Sequence, residues 1–360
     1  MVNIGGSCGR AANSFLDYCV LIFWSLKLNL VQDVDYIIVG LGIAGTLLSH
    51  KLMTKGHTIV VLDDDNPNSA SKVSSGIINP ITGRRLVKSW MYEQLKEVFT
   101  HSYKSIEQFY ETSILRPTII HRTTTSIKDD NLWRTVALNE TQFCHLDLEE
   151  KPWEGRINNY ISFGGLAGYR VDVPELIKCV KSHIETTQSL VIESFDYSLI
   201  EFQKEHVVYK EFRAKKIIFC EGWKAIHNPF FKYINLDPAK GEVVKIEIEN
   251  PPIKAILKHK LFIVPQADGL YWVGSTYDWK QRDETPTPEK LTQITDTLKG
   301  ILKEDFKVRS HYAGIRPTTI DRRPIVELHP KHSNLAIFNG LGTKGASIAP
   351  FFANKMVDIL

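Results

Sequence analysis

Hydrophobic positions along this chain fall into three spacings, and each predicts a different element. Short apolar runs suited to strands buried on both faces occur at Tyr36–Val39, Ile59–Leu62, Lys216–Cys220 and Leu335–Asn339. Helical spacing covers Ala44–Thr54, Trp90–Tyr110 (through Leu95, Val98, Phe99, Ile106 and Phe109), Pro174–Glu185, Pro286–Leu302 and Ala346 to the last residue. Asp172 is a good N-cap for the third of these, with Pro174 inside its first turn. Asp129–Thr141 reads as a helix facing solvent. Alternation predicts a half-exposed strand at Glu242–Glu249, and Leu261–Val264 and Leu270–Gly274 flank a hairpin signal, Gln266-Ala-Asp-Gly269. Ile114–Thr125, Ser189–Glu193, Tyr197–Gln203 and His206–Glu211 read as further strands. Gly164, Gly165 and Gly168 punctuate the chain between them, and no repeat or low-complexity segment is present.

Strands alternating with helices predict an α/β protein, and its first unit carries candidate chemistry. After the Tyr36–Val39 run come Gly40, Gly42 and Gly45, spaced Gly-x-Gly-x-x-Gly, then a helix, a second strand and Asp63. Such a turn lets a pyrophosphate approach the backbone while the helix start, at Ile43 and Ala44, points its positive end at the phosphates. An acid at the second strand's tip accepts from a ribose hydroxyl and disfavours a 2′-phosphate, so FAD or NAD is expected over NADP. Asp64 and Asp65 follow, so the ribose ligand is Asp63 or, with a slip of one, Asp64. Small residues dominate Ser69–Gly83, as suits backbone passing close to a flat ligand.

Composition changes this picture little. At 360 residues the chain exceeds the usual single-core size, so two domains are expected. A net charge of +3 leaves only short basic clusters, at Arg84-Arg85 and Lys254–Lys260, which read as solvated surface. Five scattered cysteines without Cys-x-x-Cys argue for reduced thiols and a cytoplasmic setting. The histidines have no metal-ligand spacing, so no metal is expected. Residues 1–33 precede the first strand and include the apolar Tyr18–Leu26. In order of preference they are an upstream start, with Val31 at the usual distance; a helix packed on the fold; or a membrane anchor over 15–31.

Four separated pieces of sequence resemble one family: the Gly40–Gly45 turn; Gly76-Ile-Ile-Asn-Pro80; Phe262-Ile-Val-Pro with Asp268-Gly269 and Val273-Gly-Ser-Thr-Tyr-Asp278; and Tyr312-Ala-Gly-Ile-Arg-Pro-Thr318 followed by Asn339-Gly-Leu-Gly-Thr-Lys-Gly345. Together, over residues 34–360, they resemble the FAD-dependent D-amino acid oxidase superfamily, which includes glycine oxidase and sarcosine oxidase. The second piece and Gly340–Gly345 are most similar to the oxidase half of the bifunctional tRNA wobble-uridine modification enzyme.

The resemblance implies a Rossmann-type FAD-binding domain (34–95, 161–222 and 313–360) interleaved with an α+β substrate domain on an antiparallel sheet (96–160 and 223–312). FAD is expected to be non-covalent, since no cysteine lies near Arg316 where sarcosine oxidases attach it. The implied cofactor contacts are Gly40, Gly42, Ile43, Ala44, Gly45, Asp63 or Asp64, Ser71, Ser75, Gly76, Ile77, Gly222, and the loop Gly340, Gly342, Thr343, Lys344 and Gly345, whose helix start would face the flavin pyrimidine ring. Arg316 is the implied carboxylate ligand, because a guanidinium grips a carboxylate bidentately. Lys344 is a second catalytic candidate, or a surface lysine. Phe262, Tyr271 and Tyr277 are pocket candidates among the hairpin aromatics, of which alternation turns only half inward. Phe262 replaces a substrate-binding Tyr of D-amino acid oxidases.

The implied reaction is amine oxidation of a small amino acid or N-substituted glycine by hydride transfer to flavin N5, then imine hydrolysis, with oxygen or an electron carrier reoxidising the flavin. Rival readings are oxidation of a carboxymethylaminomethyl group on tRNA, approached through Arg84, Arg85 and Lys88; an NAD-linked dehydrogenase; and a non-catalytic flavin-binding redox protein.

Overall fold

The computed structural model describes residues 31–250 and 252–360. The Tyr18–Leu26 stretch lies outside the described residues, as do residues 1–30 altogether, while Gln32 and Asp33 already belong to the first strand rather than preceding it. Two sheets organise the rest.

In the first sheet, Phe212–Phe219, Gln32–Val39, Ile59–Asp63 and Leu190–Ile192 run parallel in that order. Leu335–Asn339 pairs in parallel with the C-terminal part of Phe212–Phe219, and an antiparallel hairpin (Ile200–Phe202 and Val207–Tyr209) pairs with its N-terminal part. The apolar runs are continuous because both faces are covered. Ile38, Val61, Ile218 and Phe338 pack among the buried residues of the helices Ile43–Thr54, Val173–Thr186 and Gly345–Ile359. Ile37, Val60, Ile217 and Ile337 pack on the other side with Phe219 and Phe231.

The second sheet runs in the order Phe306–Arg316, Ala239–Ile248, Tyr271–Gly274, Phe262–Pro265, Ile256–Lys258, Leu115–Thr124, Ser162–Val171 and Ile77–Ile78. Its pairs are antiparallel except Ile256–Lys258 beside Leu115–Thr124. One face, with Val244, Ile246, Ile263, Tyr271 and Val273, buries the apolar side of the helix Pro288–Ile301. The opposite face, with Phe262, Val264 and Trp272, packs into the core shared with the nucleotide-binding helices. Trp272 Nε1 donates to the Val73 carbonyl (2.9 Å), which ties that face to the small-residue segment.

Three expectations change. Ser162–Val171, which a boundary at 161 assigns to the FAD-binding stretches, pairs in the second sheet over its whole length. Its glycines punctuate nothing: a Cβ on Gly164 would lie 2.3 Å from Trp133 Nε1, so glycine here marks close packing. The half-exposed strand at 242–249 is Ala239–Ile248, where only Lys245 and Glu247 are not buried, because Lys240 and Glu242 belong to an internal polar network. The solvent-facing helix is Ile127–Asn139, and it buries Trp133 and Ala137. Among the described residues, no helix is long and apolar enough to cross a membrane, and no group of three or more His, Cys, Asp or Glu could hold a metal ion.

Candidate active site

The glycine turn is fixed by contact. A Cβ on Gly45 would lie 1.9 Å from the Gly40 carbonyl oxygen, and one on Gly40, where φ is +98°, would lie 2.5 Å from that of Cys220. Only glycine lets the strand end, the turn and the helix pack this closely. Gly42 caps the helix Ile43–Thr54 without a side-chain bond, while the Ile43 N–H donates to Ser71 Oγ (3.0 Å). Asp63 faces this turn, its Oδ2 accepting from the Leu41 N–H (2.6 Å) and its Oδ1 from the Asp65 N–H (2.8 Å). Burial pushes its pKa up, and those two bonds oppose the rise. Asp64, the alternative, pairs with Lys224 instead.

Ser75, Gly76 and Ile77 stand at a junction. The Gly76 carbonyl accepts from the Val171 N–H (2.9 Å), and Ile77 pairs with Arg170. The backbone of Gly76 and Ile77 is thereby engaged with the second sheet.

Three distant loops converge at the other end of the turn. Asn339 Nδ2 donates to the Gly222 carbonyl (2.8 Å), and the Gly342 N–H donates to the Pro317 carbonyl (3.1 Å). The start of the helix Gly345–Ile359 therefore lies beside the turn that follows Arg316. A Cβ on Gly345 would lie 3.2 Å from Ile43 Cγ2, so the two helix starts are neighbours. Thr343 is exposed. Lys344 is half-buried with its Nζ 3.2 Å from Ser89 Oγ, and burial lowers its pKa. Beside Gly222, Glu221 is held by Tyr197 Oη and by Asn228 Nδ2 (2.9 Å), and burial pushes its carboxyl up to about 7.

Arg316 ends the strand Phe306–Arg316 and lays its guanidinium over Gly241, where a Cβ would lie 2.0 Å from Nη2. It donates to Ser275 Oγ (2.6 Å) and, at 3.3–3.4 Å, to the carbonyls of Ala239, Lys240 and Thr276. Tyr277, 54% exposed, lies with its ring centroid 4.3 Å from the guanidinium carbon. Every acceptor is neutral, and no carboxylate pairs with Arg316 among the described residues. Burial lowers its pKa.

Phe262 sits on the same sheet face as Gly274 and Gly241. Tyr271 does not: it points to the opposite face, 1% exposed, packs on Trp153 and accepts from the Ile253 N–H through its hydroxyl. Its pocket assignment is corrected by strand alternation, which turns Trp272 inward instead. Sequence reasoning also missed Lys258, read there as solvated surface. It is half-buried, with Nζ 4.5 Å from the Phe262 ring centroid. No local signal marked it, since Ile256 and Leu257 before it are both apolar and alternation there does not say which face is inward.

The frame fits a dinucleotide. A helix start without a side-chain cap adjoins a glycine turn, an acid from the second strand is held at that turn, and a Cβ on Gly222 would meet nothing within 4 Å.

Comparison with known proteins agrees. The DAO family model, described as FAD dependent oxidoreductase, matches residues 179–359. The chain is 22% identical to the glycine oxidase of Pseudomonas aeruginosa over 354 residues, covering 90% of this chain and 94% of that protein. It is 26% identical to the Bacillus subtilis glycine oxidase over 195 residues, and 22% identical over 351 residues to the tRNA 5-methylaminomethyl-2-thiouridine biosynthesis bifunctional protein MnmC of Idiomarina loihiensis. Those matches cover 50% and 89% of this chain but only about half of each relative, 52% and 54%. In structure it resembles glycine oxidase from Bacillus cereus (TM-score 0.74, 20% identity, 91% of this chain and 94% of the other). It also resembles iminodiacetate oxidase from Chelativorans sp. (TM-score 0.75, 17% identity, 90% and 95%). A family match across half of the chain, on a frame built for a dinucleotide, leads to one conclusion: the chain belongs to the DAO family of FAD-dependent oxidoreductases.

Proposed function

We propose that the chain oxidises the amine of a small amino acid or N-substituted glycine, and that Arg316 holds the substrate carboxylate. One observation carries the reading: a half-buried guanidinium, floored by Gly241 and faced by Tyr277, has only neutral acceptors. A charge removed from water without a counter-charge is costly, and a carboxylate in a bidentate grip relieves that cost. FAD supplies the acceptor for the hydride that leaves the carbon beside the amine nitrogen. The residues of the chain position: Arg316 fixes the carboxylate, Tyr277 and Ser275 hold the guanidinium, and the start of the helix Gly345–Ile359 offers its positive end to developing negative charge. The imine is then hydrolysed by water. An amine that enters unprotonated needs no general base.

A second reading, oxidation of a carboxymethylaminomethyl group on tRNA wobble uridine, is favoured by the likeness to MnmC along most of the chain. Of its approach surface, Arg84 and Arg85 are exposed, but Lys88 is neutralised by Glu93 and Glu140.

The test is anaerobic absorbance of the purified flavoprotein with glycine, N-methylglycine and D-amino acids. Bleaching by one of them, lost in Arg316→Ala with FAD retained, is the expected result. Bound FAD that no small amine reduces, together with a tRNA gel shift at low salt, moves the reading to tRNA. A protein that takes up no FAD sinks both.

A further inference from the structure

The face that carries Arg316 holds a second cation without a counter-charge. Lys258 follows Ile256 by two residues, and Ile256 belongs to the core shared with the nucleotide-binding helices, so alternation turns Lys258 to that same face. Its ammonium lies over Phe262 and has no hydrogen bond or carboxylate partner among the described residues. On the adjacent parallel strand, Arg122 is its register partner, and that guanidinium is committed to Asp129 and lies over Trp133. Burial, and then Arg122, push the Lys258 pKa down to about 8. Two cations side by side, of which only Arg122 has a carboxylate, form an arrangement that an incoming anion stabilises.

Register places this pair relative to Arg316. Lys258 pairs with Phe262, Phe262 with Gly274, and Gly274 with Val243, while the Arg316 guanidinium covers Gly241, two residues earlier on the Val243 strand. Three strand spacings, about 14 Å, separate the backbones of Lys258 and Val243, and two residues along the strand, about 7 Å, lie between Val243 and Gly241. About 16 Å therefore separates Lys258 from the residue under the guanidinium, and the Lys258 side chain, reaching over Phe262 on the next strand, shortens that gap.

We propose that the substrate carries a second anionic group, a carboxylate or a phosphate several bonds from its amine, and that Lys258 receives it across the Phe262 ring. This rests on the reading of Arg316 as the ligand of the first carboxylate. The substrate class narrows to an amino acid or N-substituted glycine with an acidic tail.

The experiment uses the FAD-loaded protein and measures dissociation constants, from flavin absorbance perturbation and from calorimetry, for dicarboxylates from glutarate to suberate, for monocarboxylates of equal chain length, and for the matching ω-phosphonocarboxylates. At least one doubly anionic ligand should bind tenfold or more tighter than its monocarboxylate. That gap should close in Lys258→Met and survive in Lys258→Arg, with FAD content and melting temperature confirming that both variants fold. Preference for the phosphonate assigns a phosphate tail, and preference for the dicarboxylate a carboxylate tail. Equal binding of one-anion and two-anion ligands, a gap that persists in Lys258→Met, or no binding of any ligand overturns the proposal. Failure of the parent reading looks different: Arg316→Ala would bind the monocarboxylates as well as the unaltered protein does.

Discussion

Lys240 and Arg316 occupy adjacent rungs of one strand pair, since Ala239 faces Arg316 and Lys240 faces Ile315, yet their surroundings are opposite. Lys240 is 1% exposed and donates to Gln281 Oε1 (2.8 Å), Asp283 Oδ1 (3.0 Å) and the Thr285 carbonyl (2.6 Å). Glu242, two residues on and also 1% exposed, lies 2.8 Å from His311 Nε2 and accepts from the Thr287 N–H and hydroxyl. That network pins the segment 281–287 and brings its own counter-charges. Arg316 brings none. The difference separates two uses of a buried cation. One whose partners are built into the chain is architecture, and one left with neutral acceptors is stabilised by something that arrives.

The largest effect should come from emptying the second kind of site. Arg316→Ala should lower kcat/KM by about 10³-fold or more while FAD content and melting temperature hold, because a charge-assisted bidentate grip and the orientation it gives are lost together. Steady-state kinetics against flavin-normalised protein checks this, and an unchanged kcat/KM would erase the contrast. Lys240→Met should do the reverse. It leaves the Gln281 and Thr285 oxygens without their donor and the buried Glu242 without the cation 3.9 Å away, so unfolding should cost about 1–3 kcal/mol less, seen in denaturant titration, with activity per flavin little altered. A selective rise in KM there would make Lys240 part of the site.

Glu221 sharpens the comparison with a buried charge of the other sign. Its carboxyl ionises near 7 in the fold against an ordinary 4.5, so over that interval the folded chain keeps a proton that the unfolded chain releases. Its contribution to stability is complete below 4.5 and is lost as pH rises through 7, by about 3 kcal/mol at most. Melting curves of Glu221→Gln and the unaltered protein should therefore diverge between pH 5 and 8, with the variant gaining. Parallel curves would mean that Tyr197 and Asn228 already hold the ionised form. The smallest effect belongs to Lys344→Met. With Nζ bonded to a serine hydroxyl, this lysine should change FAD affinity by less than about tenfold. A collapse of flavin reduction in that variant would promote it to a role in catalysis.

Much of the nucleotide-binding frame was legible because it depends on local signals. The apolar runs at Tyr36, Ile59 and Leu335, the glycine spacing and the acid at a strand tip each state their geometry within a few residues. Whatever depended on a neighbour far along the chain was not. The glycines of Ser162–Val171 look like breaks until Trp133 is seen against them. Asp63 and Asp64 read alike in sequence, and only the fold shows that Asp63 bonds the glycine turn while Asp64 pairs with Lys224 on another element. Tyr271 and Trp272 are interchangeable in composition, and only the register with Ile246 and Lys245 decides which one faces inward. Lys258 hides among other lysines because a basic cluster on a strand alternates between two faces, and the sequence does not say which face is wet.

The bond from Asn339 to the carbonyl of Gly222 joins positions 117 residues apart, and the one from Gly342 to Pro317 locks the Arg316 turn to the same place. A frame closed by parts that lie far along the chain bears on assembly. The glycine turn and its first two strands can form from near neighbours, whereas the Gly222 and Pro317 loops gain a further bond each only when residues 339–342 arrive. FAD uptake that requires the Gly222 loop in its final place should therefore track the docking of residues 339–342 rather than collapse alone, which a comparison of flavin binding with burst-phase fluorescence in refolding would check.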